Sequence, residues 1–496
     1  MPYHRTHVMT FAYLLLALNL LTTRQVPVGT PLHLRLITAV GSYASRPGGP
    51  VRAVLIAPVT AGGQTMLPEA SILSGTVTSV RRVGLGIRHE TALLKLEFSS
   101  VTLPDGECFP ISARVEQVDN GRERVDQDGS IRGVRATRSL MYRATGYIRT
   151  ALEWEVHAEL AVWAIKALVM NVPEPEIYYP AGVELTLTLT EPLVPVAYAG
   201  PVQAPRKLTE DQRTQIDSLV ATIPYRTYAP VSKRPSDLAN VLFIGSREQL
   251  SAAFIAAGWM EARPPSFRSD LKGIRAAAEG RGDRAAPMSS LLYNDAEPDM
   301  SWQKGFNDVS KRDHIRVWKQ PETWDGEEVW IGAATRDVDF AYLRPGHPFT
   351  HKIEENVDSE RDKVVYDLVF TSCVDLVDWL DRPDMPHAAT NGTGDPMNTD
   401  TRLAVIRLNG CVAPRLSTDT IDVAGVAAHG SKVQRFVRRE ILSARSDLLR
   451  DNPYFRGYEG ARWLVAAVRR RERESSSDAE PTLSRRVSHS VSEWLR

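Results

Sequence analysis

Two stretches of this chain impose the same constraint. Residues 26–36 read VPVGTPLHLRL and residues 178–189 read YYPAGVELTLTL, each a Pro-x-Gly turn followed by apolar residues at every second position. A period of two belongs to a β-strand buried on one face, because successive side chains leave a strand on opposite sides. Between about Val26 and Val118 nearly every segment keeps that period: LHLRLI, RAVLIAPV, SILSGTVTSV and ALLKLEFSSVTL, separated by RPGGP, TAGG and LPDGE turns. Strands this frequent, with no helical period between them, predict a barrel or sandwich. In a closed sheet the strand at Leu32–Leu36 would be first and that at Glu184–Leu189 last, pairing with each other and removing exposed edges. The same pattern also arises wherever an ordinary turn precedes a strand, so the repeat alone does not decide.

At 496 residues the chain is too long for one ordinary core, and its texture shifts along its length. Residues 148–171 place Leu152, Val156, Leu160, Trp163, Ala167 and Met170 on one helical side, with Glu153, Glu155, Glu159 and Lys166 interspersed, which predicts an amphipathic helix inserted in the β domain. Residues 120–139 are charged and contain glycine, and read as a mobile loop. The Pro-rich flanks of residues 197–238, around the short helical stretch TEDQRTQIDSLVATI, read as a linker. The expected organisation is multidomain: a signal or anchor segment at 1–24, an all-β barrel or sandwich at 25–196, the linker at 197–238, an α+β domain at 239–410 and a helical, partly disordered tail at 411–496.

Charge and cysteine content narrow the function classes. Lys plus Arg and Asp plus Glu both number 60, so the net charge of +0 gives no electrostatic reason for nucleic acid to be a partner. The apolar run Val8–Leu21, after His4, Arg5 and His7, has the length of a signal-peptide core and is short for a membrane span; a buried helix or an uncleaved anchor are the alternatives. Cys373 and Cys411 could pair in an oxidising compartment or remain buried thiols, and Cys108 is left over. The tail, with SKVQRFVRRE and ARWLVAAVRRRER, is a basic helical segment, either solvated or docked on an anionic membrane surface or a partner.

The second domain opens with NVLFIGSREQLSAAFIAAGW: a buried strand, Ser246 as helix N-cap, and a helix ending at Gly258. MSSLLYN, DHIRVWKQ and EEVWIGAATRDVDF read as further strands, and THKI as an extended segment before a helix from about Ser359 to Thr371. His314, Arg316, Asp337, Asp339, His351, Arg361 and Asp362 collect imidazoles, carboxylates and guanidiniums near strand ends. His314 and Arg316 share one side of a strand, as do Asp337 and Asp339, so the pairs could meet across a sheet. Such a meeting suits a divalent metal held by His314, Asp337, Asp339 and His351, with His347 nearby, and equally suits a cross-strand ion-pair network. No HExxH, Gly-x-Ser-x-Gly or Cys-His arrangement selects the catalytic reading. Trp302, Trp318, Trp324 and Trp330 are expected to cover the core.

Two resemblances add to this reading. The stretch from VPVGTPLHLRL to TSVRR, followed by LKLEFSSVTLPDGECFPI, resembles the β-barrel domain of TrbI-like channel subunits of type IV secretion systems, through Pro27, Gly29, Thr30, Pro47, Gly48, Pro68, Gly75, Pro104, Asp105 and Gly106. Ala70 stands where that family has glycine. Residues from about Asn240 to Leu408 resemble the C-terminal domain of the LssY family, a bacterial secretion-system component, through LFIGS, AAGW, SSLLYN, HIRVW, WIGAATRDVDF, THKI, ERD and ATNGTGDPMNTDTRLAVIRL. Thr401 stands where glycine is expected. The first resemblance implies a closed barrel, and the second implies a domain without an established reaction.

The reading is of an exported envelope protein, non-catalytic, that binds or assembles with envelope or secretion-system proteins. Homo-oligomerisation and membrane-surface contact through the tail are open, as is its being an enzyme: the alternative is a metal-assisted hydrolase. No cofactor is expected beyond that divalent metal.

Overall fold

The computed structural model describes residues 25–84, 90–135, 175–194, 204–264, 266–279, 282–344 and 347–411, with isolated positions at 198 and between 433 and 468. The N-terminal segment 1–24, the helix expected at 148–171 and the Ser-rich end of the tail lie outside the described residues.

The alternating segments of the first half become six barrel strands: β1 (Pro31–Leu36), β2 (Pro50–Leu55), β3 (Ile72–Arg81), β4 (Leu93–Thr102), β5 (Cys108–Val118) and β6 (Glu184–Leu189). They run in the order β3-β2-β1-β6-β5-β4, all antiparallel, and β4 pairs back onto β3 to close the ring. Leu32, Leu34 and Leu36 of β1 and Leu185, Leu187 and Leu189 of β6 fill the interior. Closure joins the first strand to the last, with Leu32 opposite Leu187 and Arg35 opposite Glu184. The two Pro-x-Gly turns make matching contacts across this seam. The Gly29 amide donates to the Leu189 carbonyl at 2.9 Å, and that of Gly182 to Leu36 at 2.8 Å. Each glycine stands at positive φ, 86° and 93°, so each turn caps the other strand's end in a conformation that favours glycine.

Residues 120–135 are not a loose loop. Arg124–Val125 pairs with Ser130–Arg132, which in turn pairs with β4, while Asn120 and Glu123 are buried. Backbone pairing to the barrel wall outweighs the polar composition from which mobility was expected.

The second domain is a mixed sheet in the order β8 (Met260–Glu261), β9 (Met300–Lys304), β10 (Arg312–Trp324), β11 (Glu327–Arg344), β7 (Val241–Ile244), β14 (Arg402–Leu408), β13 (Val374–Asp381). A further strand, β12 (His347–Ile353), pairs with the far half of β11, and β7 runs parallel to β14. Alternation divides the sheet cleanly. Phe243, Ile315, Val317 and Ile406 face helices α2 (Arg247–Ala256) and α4 (Val357–Phe370), meeting Leu250, Phe254, Val364 and Leu368. Leu242, Trp318, Ile331 and Val405 face the other way, against Ile216 and Val220 of α1 (Glu210–Val220). The helical part of the expected linker is therefore a layer of this domain, held at its start by the Arg206 amide donating to Asp375. A fourth helix among the described residues, α3, spans Phe267–Ala278.

Ser246 caps α2 with a reciprocal capping box, and the turn beyond it places Gly258 at φ 83°. SSLLYN departs from the strand expectation, since Leu292 makes only an isolated bridge to Tyr228. All four expected core tryptophans are buried. Cys373 and Cys411 form a disulfide across 38 residues, and Cys108 is exposed and free.

Ala70 and Thr401, the two departures from the family glycines, both occupy left-handed backbone, at φ 66° and 68°. The backbone keeps the shape glycine allows while a side chain crowds it, at a cost of roughly 1–2 kcal/mol per residue. Ala70→Gly and Thr401→Gly should therefore each raise stability by up to about 1 kcal/mol after the added freedom of the unfolded chain is subtracted, read as a higher denaturation midpoint at unchanged m-value.

Candidate functional site

Strand β10 distributes two polar sets. Arg312, His314 and Arg316 leave one face, and Asp313 leaves the other. On the first face the register places Arg312 opposite Asp337 and His314 opposite Thr335. Arg312 Nε donates to Asp337 Oδ2 at 2.8 Å, His314 Nδ1 lies 3.7 Å from Oδ1, and His351 Nδ1, arriving from β12, lies 3.5 Å from Oδ2. The Thr335 hydroxyl is 2.8 Å from His314 Nε2. Arg316 turns to Asp237 at 3.3 Å and to the Ser289 carbonyl at 2.8 Å.

Burial pushes His314 down to about 3 despite Asp337, and also lowers His351, so both imidazoles are neutral near pH 7. For Asp337 burial acts upward, but His314, Arg312 and His351 outweigh it and hold the carboxyl at about 2. With the imidazoles neutral, Arg312 supplies the positive charge.

Three of the four expected metal ligands therefore meet, with a guanidinium among them. Asp339 does not join: the β11–β12 pairing shifts between Asp337 and Asp339, and Asp339 is exposed. Arg361 and Asp362 belong elsewhere, at the start of α4, where Arg361 binds Asp400 at 2.6 Å, donates to the Arg402 carbonyl and lies 4.6 Å over the Trp379 ring. The side chain of His347 lies outside the described residues. Among the described residues, no group of three or more His, Cys, Asp and Glu could hold a metal ion.

The larger polar assembly lies on the opposite face of the sheet, where the second domain meets the barrel. Outward-facing Glu184 of β6 receives Lys304 at 2.6 Å, Arg35 of β1 at 2.7 Å and Lys363 of α4 at 2.7 Å. Asp367 accepts from Lys304 at 2.8 Å and from Trp259 at 2.9 Å. Asp313 accepts from Asn120 at 2.8 Å and lies 3.3 Å from Arg336, which stands 4.0 Å from Asp119. Around these pairs, the Arg122 amide donates to Asn307, Asn307 donates to Glu123, His33 stacks on Tyr366 at 5.1 Å, and Ile37, Val54 and Ile56 pack on Phe370. Sequence reasoning found Arg361 and Asp362 but missed Glu360, Lys363 and Asp367. Their signal was available: three charges at positions i, i+3 and i+7, on a helix whose Val364 and Leu368 are buried.

The charges of this interface nearly cancel. Glu184, Asp367, Asp119, Asp313 and Glu360 oppose Arg35, Lys304, Lys363 and Arg336. Glu360 is 1% exposed, and burial, reinforced by Asp313, raises its carboxyl well above the usual range. A neutral Glu360 leaves four charges of each sign. Beside the interface a cleft of about 760 Å³ opens between residues 116–118 and 122–125 of the barrel and residues 336–338 and 352–355 of the sheet, with charges of both signs on its walls.

Two outcomes follow. Lys363→Ala removes one of the cations shared by Glu184 and Asp367 and leaves the buried network with an uncompensated negative charge, and should destabilise the protein by about 3–5 kcal/mol in chemical denaturation. Glu360 has a raised folded pKa, so its neutral form contributes stability that is complete below the unfolded value near 4.5 and is lost as pH rises through the folded value. Glu360→Gln should remove that loss, giving an advantage over the parent that grows with pH above about 4.5 and vanishes below it.

Comparison with known proteins gives three findings. No curated protein matches the chain. Among solved structures it is similar to ComB10 of the Com type IV secretion system of Helicobacter pylori, at 11% identity over 36% of this chain and 94% of that one, with a TM-score of 0.21, a likeness too loose to carry a functional argument. Residues 223–403 match the family described as the LssY C-terminus.

Proposed function

We propose that this is an exported, non-catalytic component of the cell envelope, in which the barrel and the LssY-like domain act as one binding or assembly body linked to secretion or transport. The observation that carries this reading is where the polar side chains are used. Glu184, Lys363 and Asp367 fasten the two domains together, and the side chains of His314, Arg316 and Asp337 are 6%, 4% and 4% exposed. Residues spent on internal ion pairs are not presented to a substrate. The disulfide supports export, since such bonds persist in oxidising compartments. The N-terminal apolar run and the LssY resemblance support an envelope setting and partners there.

The rival, a metal-assisted hydrolase at His314, Asp337, Asp339 and His351, requires an open coordination position. Arg312 occupies the side of Asp337 where a cation would sit, and Thr335 is 1% exposed. Elemental analysis of the purified full chain should find metal far below stoichiometric. Tightly held zinc or manganese that is lost in a His314→Ala, His351→Ala double variant would favour the hydrolase instead.

Fractionation of cells producing the full chain tests the location. The protein should separate with the periplasm or envelope, with Cys373 and Cys411 protected from thiol reagents until reduced; a cytoplasmic protein with both thiols reactive would overturn the proposal. Replacing both cysteines by serine should cost about 3–4 kcal/mol, given the length of the loop they close.

A further inference from the structure

The cleft between the barrel and the second sheet has a floor on which charge changes sign from one rung to the next. Strands β10, β11 and β12 run side by side there, with Arg312 opposite Asp337 and Asp337 opposite Ile353. To one side of that rung stand Lys311, just before β10, and Lys352 of β12, with Val338 between them. To the other side stand Asp313, Arg336 and Glu354, joined by the pairing of Asp313 with Arg336 and by the Glu354 amide donating to the Arg336 carbonyl at 2.8 Å. Lys311, Arg336, Val338, Lys352 and Glu354 all line the cleft. Positions two apart on a strand share a face and lie about 7 Å apart, so a lysine rung and an acidic rung face the barrel at that separation.

These charges are not spent on one another. Neither Lys311 nor Lys352 has an ion pair among the described residues: Lys311 donates to the Gly121 carbonyl at 3.2 Å, and Lys352 is exposed. Glu354 Oε2 is buried without a hydrogen-bond donor, 3.9 Å from Arg336, while 34% of the side chain remains exposed. Burial raises its carboxyl above the ordinary value against the pull of Arg336, and a ligand's ammonium beside it would hold it ionised. Arg336 itself leans on Asp313 at 3.3 Å, its Nε lacking a hydrogen-bond partner. From the barrel side Glu116 lines the cleft, exposed and without a partner among the described residues.

We infer that this cleft binds short peptides through their free termini, the carboxylate on Lys311 and Lys352 and the ammonium on Glu354 and Glu116. An extended chain advances about 3.3–3.6 Å per residue, so the two ends of a dipeptide match the spacing of the rungs. The cleft of about 760 Å³ leaves room for side chains and further residues. Ligands of a single charge suit it less, because a cation meets the two lysines and an anion meets the two glutamates. The inference deepens the binding role proposed above and rests on it. A failure of that role appears in cell fractionation, whereas a failure of this site appears with purified protein.

The experiment is calorimetric titration of the purified full chain with alanyl-alanine, its N-acetylated form, its C-terminal amide and the doubly blocked peptide. The free dipeptide should bind, and blocking either end should weaken binding by about fivefold or more, as should raised salt. Lys352→Ala and Glu354→Gln should each weaken it to a similar extent. The thermal midpoint of Lys352→Ala should be unchanged, because that side chain is exposed and unpaired, and glutamine keeps the shape of Glu354. No binding of the free dipeptide at millimolar concentration, equal binding of the doubly blocked peptide, or undiminished binding by either variant would overturn the inference.

Discussion

The contact between Glu184 and Lys363 joins the two halves of the molecule. Glu184 lies on the strand that closes the barrel, opposite Arg35 of the first strand, and Lys363 lies on the helix that covers the second sheet. A buried carboxylate is tolerable only where cations and hydrogen-bond donors replace its water, and here Arg35, Lys304 and Lys363 all converge on it. Burial alone would push Lys363 down and Glu184 up, but the opposite charges around them outweigh it: Lys363 is held charged well beyond the ordinary lysine range by Asp367 and Glu184, and Glu184 ionised well below its own by Lys304, Lys363 and Arg35. Removing water from such groups yields little net stability but strong selectivity for one relative placement, since any other leaves charges without partners.

The barrel was legible because its signal is local. Period-two alternation, turn glycines and the repeated Pro-x-Gly announced the strands and the pairing of the first with the last. The strand–cap–helix unit around Ser246 was equally plain. The interface was not legible, because its members are Arg35, Glu184, Lys304 and Lys363, far apart in sequence and each unremarkable alone. Of the polar cluster, the meeting of His314 with Asp337 followed from strand alternation, whereas the exit of Asp339 depended on a register shift with no sequence signature. Composition misled at residues 120–135, where charge suggested a loop and backbone pairing made strands.

Arg312 changes the chemical meaning of that cluster. Two imidazoles and a carboxylate invite a metal ion, but a guanidinium that already donates to Asp337 meets the same electrostatic demand without one. Because the imidazoles stay neutral, protonation near physiological pH does not compete with that pairing. The result is a neutralised brace that ties β10 and β11 to β12.

Closure through the last strand also sets a timetable. Arg35 and Glu184 are 149 positions apart, and Lys363 follows Glu184 by 179 more. As the chain emerges N-terminus first, the barrel stays an open sheet until Glu184–Leu189 has followed, and its docking face then waits for the second domain. Slow, non-local pairing of this kind ordinarily exposes sticky surface. Here the waiting face carries His33, Arg35, Glu184 and Thr186, whose polarity keeps it wetted during synthesis, while the leucines between them already point inward. The charges that later fasten the domains thus first serve to keep the nascent barrel soluble.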